Sequence, residues 1–77
     1  MLKSYRLNSH TVTETEQISE TTVGIEIDGK VNLFLSGNLG IYGTFYGQEN
    51  VALVAETFPN AIITEEYPGR YHIASNN

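Results

Sequence analysis

Two histidines, eight glutamates, one aspartate and five serines are the residues whose types lend themselves to acid–base, metal or nucleophilic chemistry. His10 and His72 stand far apart, and no His-x-x-x-His or close His/Glu spacing sets two ligands on one helix turn or strand face. If residues 62–67 and 70–74 form a tight hairpin, Glu65 falls opposite His72, a placement that a cross-strand charge pair explains as well as a metal does. Cysteine is absent, which removes thiolate chemistry and disulfides. The serines fall in turn-like, strand or terminal positions, none in the G-x-S-x-G elbow that exposes a nucleophile. The carboxylate pairs Glu65-Glu66 and Glu14/Glu16 fit a solvated acidic surface better than general acid–base work. A 77-residue chain also leaves little room for a substrate pocket of roughly 300–1,000 Å³. The expectation is a protein without catalytic residues, metal or cofactor.

Gly37, Gly40, Gly43 and Gly47 precede a helical pattern, where backbone N–H groups can hold an anion. The spacing matches neither G-x-G-x-x-G nor a P-loop, and no Lys or Arg lies between Lys30 and Arg70 to neutralise phosphate. These glycines read as turn and close-packing residues.

Two candidate binding features remain. Glu14, Glu16 and Glu20 form an acidic stretch in threonine-rich chain without a neighbouring cation. Tyr42 and Tyr46 share one side of a strand whose other side carries Leu39, Ile41 and Phe45. If the aliphatic side meets the core, the tyrosines face outward, and tyrosine is favoured at protein interfaces.

The elements that must position these residues follow from local pattern. Alternation of Tyr5 and Leu7 with polar neighbours gives a strand over about 2–8. Residues 11–20 favour strand through their threonines, but neither side is cleanly apolar, which places them at a sheet edge or bends them away from the core. Around Asp28-Gly29 a hairpin is expected. A two-residue turn would scatter the apolar residues over both faces. A three-residue loop, Ile27-Asp28-Gly29, instead sets Ile25 opposite Val31 and Val23 opposite Leu33, with Gly29 at positive φ. Val23, Ile25, Val31, Leu33 and Leu35 then make one apolar face. Ser36-Gly37-Asn38 is a turn, and 39–46 a glycine-punctuated strand.

Residues 48–58 form the one convincing helix, with Val51, Val54, Ala55 and Phe58 on one stripe. Gly47 sits at its N-cap, Glu49 in its first turn, and Pro59 stops it. A strand at 61–64, a Tyr67-Pro68-Gly69-Arg70 turn, a strand at 71–74 and a frayed tail, Ser75-Asn76-Asn77, complete the chain.

These elements give a single α+β domain over 1–77: a mostly antiparallel sheet of four to six strands with the helix on its apolar face. At this length folding buries only about 60% of the unfolded surface, so a second subunit, and hence a homo-oligomer, is a natural source of added stability. Four Lys and Arg against nine Asp and Glu give a net charge of −5. That field repels a phosphate backbone and attracts a basic protein surface. No apolar run approaches the roughly 20 residues of a membrane span, and the basic first residues lead into no apolar signal segment. The expectation is a cytoplasmic, acidic protein-binding module whose partner presents a basic surface. One form is an inhibitor that occupies a nucleic-acid-binding site, the mode of some small acidic proteins of phages and mobile elements. The rivals are a self-associating subunit paired through an edge strand, and a small anion-binding module at Gly47.

Overall fold

A computed structural model describes residues 2–75. Seven strands make one sheet: β1 (Ser4–Leu7), β2 (His10–Gln17), β3 (Thr22–Ile27), β4 (Val31–Ser36), β5 (Gly40–Tyr46), β6 (Ala61–Tyr67) and β7 (Arg70–Ser75). Their order is β1-β2-β3-β4-β5-β7-β6 and every neighbouring pair is antiparallel. The first five strands form a meander. A 3-10 turn (Gln48–Asn50) then leads into α1 (Val51–Thr57), and the chain returns along β6, with β7 filling the space beside β5. The α+β reading holds, but the sheet has seven strands rather than four to six. Asn8-Ser9, both at positive φ (50° and 73°), turn β1 into β2 as a two-residue hairpin, so both of these strands join the one sheet.

The acidic strand β2 is not an edge. β1 pairs with its first half and β3 with its length. A bulge between Glu14 and Glu16 resolves the mixed patterning: it turns Val12 and Glu14 to one face and Glu16 to the other.

The β3–β4 register also differs from expectation. Ile27 pairs with Val31, Ile25 with Leu33 and Val23 with Leu35. The loop is Asp28-Gly29-Lys30, one residue later than expected, because burial of Ile27 keeps it in the strand. Asp28 and Gly29 both take positive φ (51° and 70°), and Lys30 N–H bonds Ile27 O at 2.9 Å. A shift of two in pairing sum leaves side-chain parity intact, so the expected apolar face forms and gains Ile27.

That inner face carries the core: Val12, Ile25, Ile27, Val31, Leu33, Ile41, Phe45, Tyr71 and Ile73 are buried together with Val54 of α1. Phe45 and Tyr71 stack at 5.4 Å. Gly43, at φ 143°, brings β5 against β4; a Cβ there would stand 3.0 Å from Leu33 Cδ2. The helix stripe is rotated from expectation. Val54 and Thr57 are buried, Val51, Leu53 and Phe58 half-buried, and Ala55 exposed. Thr57 enters because its hydroxyl donates to Leu53 O at 2.8 Å, which satisfies its one polar group inside the helix. Of the tail, Ser75 ends β7, while Asn76 and Asn77 lie outside the described residues.

Candidate protein-binding surface

The single helix lies on the inner face, and strand alternation sends a second set of side chains to the outer one. One row runs across five strands through Ile62, Ala74, Tyr42, Phe34 and Gly24, and ends at Glu16 of a sixth. Phe34 and Tyr42 stack at 5.5 Å between centroids. Two residues along, Thr64, His72 and Thr44 make a polar row; beyond it come Tyr67, Arg70 and Tyr46. The Arg70 guanidinium lies 5.9 Å from the Tyr46 ring centre and 5.8 Å from that of Tyr67. Its Nε stands 2.7 Å from Glu66 Oε1, at an angle too poor for a hydrogen bond. Phe34, Ile62, Tyr67 and Tyr46 are 37, 53, 55 and 59% exposed, so the strip is apolar, aromatic and open to water.

The structure places Tyr42 and Tyr46 together on this outer face, Tyr42 half-buried against Phe34. It does not bring Glu14, Glu16 and Glu20 together. Glu14 is half-buried on the inner side, where its Oε1 accepts the Lys3 backbone N–H at 3.2 Å, and its charge adds to burial in raising the Tyr5 hydroxyl. Glu16 lies on the outer side, packed with Thr15 over Gly24. Glu20 is exposed in the β2–β3 loop. The bulge is the cause of this separation.

The expected pairing of Glu65 with His72 does not form. A bulge between Glu65 and Tyr67 sets Thr64 opposite His72 and Glu65 opposite Tyr71. His10 instead joins three elements. As the imidazolium it donates from Nδ1 to Asp28 Oδ2 (2.7 Å) and from Nε2 to Glu56 Oε1 (2.9 Å). Asp28 Oδ1 also accepts the Thr11 backbone N–H at 2.8 Å. The Asp28 bond, then the Glu56 bond, raises the His10 pKa; the His10 bond, then the Thr11 N–H, lowers that of Asp28. The two carboxylates sit on opposite nitrogens of the ring rather than around one point. They fasten the helix end and the β3–β4 turn to the start of β2. Asn8 Nδ2 adds a bond to Thr57 O at 3.1 Å. Residues 10, 28 and 56 share no local pattern, so this clamp had no sequence signal. Arg70 between two tyrosines had one: a Tyr-Pro-Gly-Arg turn puts its first and last residues side by side.

Among the described residues, no set of three or more His, Asp and Glu side chains is placed to hold a metal ion, and no helix is long and apolar enough to cross a membrane. No protein-family model, curated protein or solved structure matches the chain.

Proposed function

We propose that this chain is a non-catalytic protein-binding module whose docking surface is the open outer face of the sheet. The observation that carries this reading is the uncovered strip of Ile62, Tyr42 and Phe34 flanked by Tyr67, Arg70 and Tyr46. Exposed apolar and aromatic side chains gathered on one face mark interaction sites on small soluble domains. Tyrosine, phenylalanine and arginine are the residues that anchor interfaces, since each combines a large contact area with a directed polar group. The partner in this reading presents an apolar patch framed by Lys and Arg, because the chain carries −5 overall and Glu16 and Glu66 border the strip. Aromatic platforms also stack nucleic-acid bases, but that mode needs a positive groove along the phosphates. Arg70 is the one cation within the strip, and Arg6 reaches the same face only from the far strand β1, where it bonds Ser9 O, so protein is the favoured ligand class. The form in which an acidic ridge mimics nucleic acid has less support, because Glu14 and Glu16 point to opposite sides.

The test is capture from lysate of the source cells on immobilised wild-type protein, Phe34→Ala and Tyr42→Ala, followed by binding kinetics with the captured partner. The reading expects both variants to fold and to lose the partner through faster dissociation. Equal retention by all three proteins refutes it.

A further inference from the structure

The two edges of the sheet are unequal. β1 is four residues long and carries Arg6, with Lys3 just before it. Short length and cations are the usual protection against strand addition. β6 is seven residues long, and its first four, Ala61-Ile62-Ile63-Thr64, contain no charge and no proline. Being last in the sheet, it leaves the backbone N–H and C=O groups that point away from β7 without ladder partners. Beside this edge on the inner face lies a cleft of about 530 Å³ between β6 and the helix, lined by Gln48, Val51, Ala52, Ile63, Glu65 and Tyr71. Val51, Ala52 and Ile63 give it an apolar side, and the Glu65 carboxylate beside them accepts only a long 3.4 Å bond from the Tyr71 hydroxyl. None of the four Lys and Arg residues lines it.

Resting on the protein-binding reading above, we propose that β6 accepts an extended basic segment of a partner as an eighth strand, with one Lys or Arg side chain laid in the β6–α1 cleft against Glu65. Three features converge on that occupant. The free strand edge supplies main-chain hydrogen bonds, which give affinity without sequence demand. The Val51, Ala52 and Ile63 walls suit the aliphatic stem of a long basic side chain, whose head then reaches the carboxylate. Charge complementarity selects a basic segment over a second copy of this chain, which would bring −5 against −5 and, through its own β6, a second Glu65 and Glu66 to the shared edge. The added strand would also extend the outer row beyond Ile62, so both surfaces serve one partner.

The experiment uses a capped seven-residue peptide, Thr-Val-Thr-Lys-Thr-Val-Thr, whose Val, Lys and Val share one face, and its counterpart with Glu in place of Lys. Amide chemical shifts and hydrogen exchange are followed on the whole chain. Saturable shifts at Ile62, Ile63, Glu65 and Tyr71, with slowed exchange of β6 amides, support the proposal. So does weaker binding, by roughly twofold to fivefold, of the Glu peptide to wild type and of the Lys peptide to Glu65→Gln, the range of a solvent-accessible ion pair. Glutamine keeps an acceptor for Tyr71, so the variant retains the fold, which its spectrum checks. Shifts confined to Phe34 and Tyr42, equal affinity for the two peptides, no saturable binding at millimolar concentration, or self-association that already protects β6 would each overturn it. A failed peptide with partner capture still lost in Tyr42→Ala rejects the edge site alone. A protected β6 with capture unaffected by Tyr42→Ala rejects the outer-face reading alone.

Discussion

The sheet has apolar side chains on both faces, and the two sets differ in kind. On the inner face Ile25, Ile27, Leu33 and Ile73 are fully buried aliphatics under a helix of seven residues. On the outer face the apolar groups are mostly aromatic, and three of them, half-buried Tyr42 and exposed Tyr46 and Tyr67, carry hydroxyls. A branched aliphatic gains only by leaving water, at about 25 cal/mol per Å². A tyrosine keeps its hydroxyl hydrated while its ring is bare and loses little when the ring is later covered. The outer face is therefore chemically suited to pass between water and a partner, whereas the inner face is stable only when covered.

Isoleucine stands on both faces, so one substitution separates them. Ile27→Ala should destabilise by about 2–5 kcal/mol, because it removes fully buried methylenes and leaves a cavity. Ile62→Ala, half-exposed, should stay within about 0.5 kcal/mol. Against a total of about 5–15 kcal/mol, the first change can unfold the domain. Urea midpoints of the two variants decide it, and equal losses would mean that the outer face is already covered in the free protein. Phe58→Ala falls between them: the ring is only half-buried, so its cost lies below the roughly 3–5 kcal/mol of a fully buried phenylalanine.

The same comparison explains what could be read in advance. Period-two alternation in 23–35 placed the inner-face residues correctly even though the pairing was two off, because parity rather than register decides a face. Tyr42 and Tyr46 were legible for the same reason. Parity fails at a bulge, and nothing in Thr13-Glu14-Thr15-Glu16 announces one, so alternation alone puts Glu14 and Glu16 on one side where the fold separates them. The β1–β2 hairpin was missed because Asn-Ser is a weaker positive-φ signal than Asn-Gly or Asp-Gly. The His10 clamp joins side chains 18 and 46 residues apart, which only the tertiary fold brings together.

Gly29→Ala sharpens the inner side on a smaller scale. At φ 70° a Cβ meets no atom within 4 Å, so the cost is backbone strain alone, about 1 kcal/mol. A drop in melting temperature with unchanged spectra elsewhere would agree; an effect as large as that of Ile27→Ala would mean that the turn sets the register of the sheet.

The clamp makes the link between helix and sheet depend on pH. His10 has a raised pKa in the folded chain, so its stabilisation is complete below its usual 6.5 and is lost as pH rises through the folded value. Asp28 has a lowered pKa, so its share is present above its usual 3.8 and is lost as pH falls through the folded value. The clamp is therefore strongest between those two usual values. An NMR titration of His10 should show its pKa falling further in Asp28→Asn than in Glu56→Gln, since the Asp28 bond is the larger cause. The reverse order would mean that the helix, not the turn, is the main anchor.

The smallest expected effect on stability tests how the outer face is approached rather than how it is built. Glu16 and Glu20 are exposed, so Glu16→Gln and Glu20→Gln together should alter stability by no more than about 0.5 kcal/mol each. Glu14 differs, because its carboxylate bonds the Lys3 N–H and belongs to the β1–β2 pairing. If the exposed pair steers a basic partner, the double variant should associate more slowly at low salt. The difference should vanish toward 1 M, where the screening length is about 3 Å. Tyr42→Ala should act on the other rate, with faster dissociation that salt hardly changes, since a ring buried at an interface is lost only after contact is made. Stopped-flow kinetics with the captured partner separate the two. Unchanged association in the double variant would leave the glutamates as solubilising groups, and binding would then rest on the aromatic strip alone.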